Sequence, residues 1–153
     1  MRLRGYRGDD LPLLSGPWLP GELLGLPAPG RPALAPEARF APPADTSVDL
    51  CVAPEAGCVR YTELDWVNRR ARLEIGVRPD ATDSAAELLH AALVHGFRTL
   101  NLHRVYGWVT PHTGDRTGLL ERAGLRLEAE LPQALWLDGR PATRQIWGRV
   151  HHG

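Results

Sequence analysis

The sequence predicts a mixed α+β layer fold, and three observations carry that expectation. Between residues 47 and 77, three strand-like runs are separated by short turns. From Ser84 the apolar period changes from that of a strand to that of a helix. Toward the C-terminus, apolar strand runs meet at Asp138-Gly139, a strong hairpin signal. In chain order the expected elements are strand, helix, three strands, helix, strand, helix and further strands.

Each element has its own local reason. Residues 2–7 read as a first strand, followed by a short helix at "DDLPLL" with Asp9 or Asp10 as N-cap and proline in the first turn. From Ser15 to Thr46 the composition shifts, and eight of the chain's 14 prolines lie there. Proline removes backbone donors and opposes helix, so mostly loop is expected. This stretch reads either as a mobile linker or as the wall or lid of a pocket, because Trp18, Leu23, Leu24, Leu26 and Phe40 give it something to bury.

"SVDLCVA", "CVRYTELDWV" and "ARLEIGV" then form an antiparallel meander through the turns "PEAG" and "NRR". In the third run Leu73, Ile75 and Val77 alternate with Arg72, Glu74 and Gly76, which marks one buried face. Leu88, Leu89, Ala92, Leu93, Gly96 and Phe97 give the following helix an apolar stripe ending near Leu100, with Thr82 or Asp83 as N-cap. "LHRVYGWVT" is a strand, and "GDRTGLLERAGL" is a short helix closed by Gly124. "RLEAEL", "QALWL" and "RQIWGRV" supply three further strands.

At 153 residues, with 18 basic and 18 acidic side chains, the chain is expected to be one domain, 1–153, with no global field for nucleic acid or anionic membrane. No apolar run approaches the ~18 residues that a membrane span needs, and the N-terminus has no apolar signal region, so a cytoplasmic protein is expected. Cys51 and Cys58 flank a hairpin turn and could face each other; two buried free thiols are expected over a disulfide. No metal site is expected, because two cysteines without paired histidines lack ligand spacing, and His90 and His95 lie five apart, about 140° around a helix axis.

The words "YTELDWVNRRARLEIGV", "LLHAALVHGFRTLNLHRVYGWV", "GLLERAGLRLEAEL" and "LWLDGRPATRQIWGRV" cover about residues 48 to 150. In this order they resemble the GNAT acyltransferase superfamily, in particular the branch that acetylates protein N-termini and small-molecule amines. The resemblance implies a mainly antiparallel twisted sheet with helices on both faces. It implies transfer of an acetyl or other acyl group from acetyl-CoA to a small-molecule or peptide amine, by a monomer or homodimer. An alternative stays open: a degenerate GNAT-like protein that does not use acetyl-CoA and has a repurposed binding or catalytic role, as in specialised biosynthesis.

The resemblance also implies site residues. Glu74 matches the carboxylate base of the fourth strand, with Glu63, and then Asp65, as weaker choices. The Val77 N–H would polarise the thioester carbonyl, and the donor's pyrophosphate would rest on the turn after it, near Ser84, Ala85 and Ala86. In that turn Asp80 stands where Gln or Arg is usual, and Asp83 where the first glycine is usual. An aspartate there repels a phosphate and competes for the helix N–H groups as a cap. Further on, Thr113 takes the position of a donor-binding Asn and Arg116 that of a Ser; Leu120 replaces the tyrosine that protonates the thiolate. Trp66, Trp108 and His112 are expected around the substrate pocket.

Overall fold

The computed structural model describes residues 1–27, 38–43, 45–111, 117–137 and 139–152. Among them nine strands and two α-helices follow in order: β1 (Arg4–Gly5), β2 (Ser15–Gly16), β3 (Ala38–Arg39), β4 (Asp49–Ala53), β5 (Gly57–Asp65), β6 (Arg70–Val77), α1 (Ala85–Val94), β7 (Arg104–Val109), α2 (Thr117–Arg122), β8 (Arg126–Leu137) and β9 (Arg140–Val150). Seven strands form one sheet in the order β1-β4-β5-β6-β7-β9-β8, and β2 pairs with β3 beside it. Every pairing in the large sheet is antiparallel except β6 with β7, which is parallel.

The expected meander is β4-β5-β6. Its first hairpin sets Ala53 against Gly57, Cys51 against Val59 and Val52 against Cys58. Cross-strand partners share a face and neighbours alternate, so Cys51 and Cys58 point to opposite sides of the sheet. The expectation that they could face each other is corrected; both are free and buried. One face carries Val59, Tyr61, Leu73, Ile75 and Val77 against Leu88, Leu89, Ala92 and Leu93 of α1. The other face carries Val52 and Cys58 against Leu14, Trp18 and Phe40.

The expected short helix is present as a 3₁₀ helix, Gly8–Leu14, with Pro12 inside it, on this second face; its N-cap is Arg7 and not Asp9 or Asp10. Asp10 turns back to accept the Arg7 N–H at 2.8 Å and takes both guanidinium nitrogens of Arg4 at 2.8 Å. The Arg4 pairing holds the Asp10 carboxyl at about 2.

Three other expectations are adjusted. Neither Thr82 nor Asp83 caps α1 with its side chain; a 3₁₀ turn, Thr82–Ser84, leads into the helix instead. The helix also widens to a π turn over His95–Thr99. "RLEAEL" and "QALWL" form one strand, β8, across Pro132. A proline is tolerated there because β8 is the sheet's edge, and a register shift between Leu131 and Leu135 absorbs it. Gly124, at φ +83, ends α2 as expected, donating its N–H to the Glu121 carbonyl at 2.9 Å.

Candidate functional site

Among the described strands β6 and β7 pair in parallel and then diverge, and residues 22 and 25 add parallel bridges to Trp108 and Gly76. β6 and β7 are in register at Arg70–Arg104, Ala71–Val105 and Arg72–Tyr106. Beyond these pairs, residues 22–25 of the proline-rich segment run between the two strands. On the β7 side the Leu23 N–H donates to the Trp108 carbonyl at 2.7 Å. On the β6 side the Gly25 N–H donates to Ile75 (2.8 Å), the Ile75 N–H to Glu22 (3.2 Å) and the Val77 N–H to Gly25 (2.9 Å). Residues 22–25 therefore act as an inserted strap that closes the gap between the diverging strands.

Side chains fix the strap from both ends. Trp18 lies flat among glycines: a Cβ added at Gly16, Gly25 or Gly76 would meet its ring at 2.0, 2.8 or 2.1 Å. Leu23 and Leu24 are in the main core, and Gly107 leaves room for Leu23. The Glu22 carboxylate, buried to 1% exposure, accepts the Thr110 N–H at 2.8 Å, the Thr110 hydroxyl at 2.9 Å and Arg144 Nη2 at 3.0 Å. The same Arg144 nitrogen donates to the Pro20 carbonyl at 2.7 Å. Of the two readings of this segment, its described part forms a wall.

The strap occupies positions where the sequence placed a donor site. The Val77 N–H, expected to face a thioester, is bonded to Gly25. In the following turn the Ser84 N–H donates to Ala81 and the Ala85 N–H to Thr82. Ala86 is exposed on the first turn of α1. Asp80 turns outward to pair with Arg78 at 3.3 Å, and Arg78 holds the Pro54 carbonyl at 2.7 Å. Leu120 is fully buried in the core. In this conformation the Val77, Ser84 and Ala85 N–H groups are satisfied within the chain and are not open to acetyl-CoA.

The acid–base residues are dispersed. Glu74 is buried on the strap-bearing face, paired with Arg72 at 2.8 Å and Arg60 at 3.4 Å. Glu63 sits at a β-bulge with φ 55 and accepts the Tyr106 hydroxyl at 2.9 Å. Burial, then Glu63, raises the Tyr106 phenol above its usual range, so it keeps its proton at neutral pH. Asp65 caps the next turn through the Val67 and Asn68 N–H groups. Trp66 is half exposed and donates to Thr46 at 3.2 Å. Trp108, under the Arg144 guanidinium, stands four residues along β7 from the end near Trp66, about 13 Å away along the strand. The structure does not bring the two tryptophans together. His112, Thr113 and Arg116 lie outside the described residues.

The meander, the lone parallel pair at which the sheet splits, the helix between those two strands and the terminal hairpin together make a GNAT fold. No family model matches the chain. It is 29% identical over 86 residues to spermidine N(1)-acetyltransferase of Vibrio cholerae serotype O1, covering 55% of this chain and 50% of the relative. The spermidine N(1)-acetyltransferase of Escherichia coli K12 is 27% identical over 92 residues, covering 59% and 50%. The chain thus spans about half the length of the curated relatives it matches. Among solved structures, a point mutant of spermidine N-acetyltransferase SpeG from Vibrio cholerae superposes with a TM-score of 0.65 at 24% identity, covering 70% of this chain and 68% of that one. A dodecameric form of the same enzyme, in an intermediate state, gives 0.64 at 24% identity over 69% and 66%.

Proposed function

We propose that this chain is a GNAT-type N-acyltransferase that moves an acetyl or other acyl group from CoA to a small-molecule amine. The observation that supports the reading is the divergence of β6 and β7 beyond their three parallel pairs, with the backbone edges at Ile75, Val77 and Trp108 held by the strap. The spermidine acetyltransferases among its relatives support an amine as acceptor. In the closed arrangement the strap holds those edges, so donor entry requires residues 22–25 to withdraw. The test is thiol release from acetyl-CoA in the presence of spermidine and of simpler mono- and diamines. Amine-dependent release is expected; its absence across the panel, with folded protein, would sink the reading.

One observation favours a second reading, in which the groove is permanently closed and the fold serves another role. Each backbone bond of the strap contributes about 1 kcal/mol, and burying Leu23 or Leu24 about 1.5–3 kcal/mol each. Together these are comparable to the ~8 kcal/mol of a micromolar ligand. A donor could replace the backbone bonds but not the leucine burial.

A homo-oligomer is proposed in place of the expected monomer or homodimer. The dodecameric neighbour motivates this, as does the apolar edge strand β8, where Leu127 and Trp136 are 46% and 73% exposed. A sedimentation mass equal to the single 16.8 kDa chain would contradict it.

A further inference from the structure

On the face of the sheet opposite Trp18, three side chains from two elements converge. Asp49 and Cys51 are two residues apart on β4 and so share a face, and His95 opens the π turn that ends α1. His95 Nε2 lies 2.8 Å from Asp49 Oδ2 and 3.6 Å from Cys51 Sγ, and Cys51 Sγ lies 3.6 Å from Asp49 Oδ2. All three donor atoms fall within 4.8 Å of one another.

This is not a nucleophilic triad. Such a relay needs the acid on one imidazole nitrogen and the thiol on the other. Here both approach the same nitrogen, Nε2. Burial, with the Asp49 charge adding to it, raises the Cys51 thiol to about 12.

We propose that Asp49, Cys51 and His95 bind one zinc-like divalent ion, with the fourth position open to water or an anion. The spacing fits the ion's coordination. Tetrahedral zinc with ordinary bond lengths sets sulfur about 3.5 Å from an oxygen or nitrogen ligand, and oxygen about 3.3 Å from nitrogen. The two sulfur distances already match. The Asp49–His95 distance, now a hydrogen bond, would open by about 0.5 Å as the ion takes the place of the shared proton. The thiol gives up its proton on binding.

The surroundings support a built site rather than a chance contact. His95 is the first residue of the π turn that follows α1, which places its ring over β4. Tyr61 fastens that helix by donating to the Ala92 carbonyl at 2.8 Å, and Gly96 leaves room for its hydroxyl, which an added Cβ would meet at 2.3 Å. His95 also lines a cavity of about 450 Å³, together with Glu87, His90 and Arg2. The cluster has no short ligand spacing in the sequence, because His95 is 44 residues from Cys51.

The experiment is titration of chelator-treated protein with zinc chloride by calorimetry, and with cobalt(II) by absorption. One ion per chain is expected, with a thiolate-to-cobalt charge-transfer band and the intense visible bands of a tetrahedral site. Cys51→Ser should remove the charge-transfer band and weaken zinc binding at least ~10-fold, the lower end of the loss on changing even an outer partner of a metal site, whereas Cys58→Ser, on the opposite face, should retain both. No stoichiometric binding would overturn the proposal. So would a cobalt spectrum without the thiolate band in the unaltered protein, as binding through His151 and His152 alone would give. The unaltered protein's spectrum decides the matter even where a variant fails to fold.

Discussion

Replacing Gly25 with alanine is expected to open the groove and to tighten acetyl-CoA binding by about 5–150-fold. The new Cβ would lie 2.6 Å from the Ile75 carbonyl oxygen and 2.8 Å from the Trp18 ring. The first contact is with backbone of a central strand, which cannot move aside, so the strap must lift. Overpacking of this kind costs about 1–3 kcal/mol. That cost falls on the closed state alone. A ligand that binds only the open state is weakened by the fraction of molecules that are open, and raising that fraction strengthens it in proportion. Hydrogen exchange at the Val77 amide, now bonded to Gly25, should rise in the variant. A fall in melting temperature with no change in that amide and no gain in affinity would refute the strap as the closing element.

Glu22→Ala is expected to destabilise the protein by about 3–5 kcal/mol, the usual result of leaving one partner of a buried ion pair alone. The change strips Thr110 of two bonds to Glu22 and leaves Arg144 without its carboxylate in a largely buried place. Replacing both charges, as Glu22→Leu with Arg144→Met, should recover much of the loss, because neither charge then remains to be desolvated. Denaturant unfolding of the two single variants and the double variant measures this as a cycle. A Glu22→Ala change within about 0.5 kcal/mol of the unaltered chain, as for an ordinary surface site, would mean that Glu22 does not anchor the strap.

The sequence made the scaffold legible because its signals are local. The alternation at Leu73, Ile75 and Val77 reports one buried face of β6, and the helical period from Leu88 to Phe97 reports the stripe that packs on it. Features that depend on register were not legible. Whether Cys51 faces Cys58 turns on the residue at which the hairpin closes, and a slip by one residue reverses the answer. The single strand β8 was split in reading because Pro132 signals a break, and only its place at the sheet edge shows why it is tolerated.

The candidate site was legible as residue types rather than as an arrangement. Trp18, Leu23, Leu24 and Phe40 marked the proline-rich segment as having apolar surface to bury. Nothing local in them specifies that Glu22 and Gly25 bridge to Trp108 and Gly76. Glu74 was placed on the correct face of its strand, but its cross-strand neighbour Arg60 could be known only from the β5–β6 register. The aspartates of the turn after β6 were the clearest warning. Their structural counterpart is a 3₁₀ turn that uses the Ser84 and Ala85 N–H groups internally.

Residues 22–25 bridge β6 and β7 at the edges where the proposed acyl donor would bind. This is tested most directly by calorimetric titration of acetyl-CoA into the unaltered chain and into Gly25→Ala under the same conditions. Weak binding is expected for the first, and binding tighter by about 5-fold or more for the second. Equal, tight binding by both would contradict it, since the donor would then enter without displacing the strap.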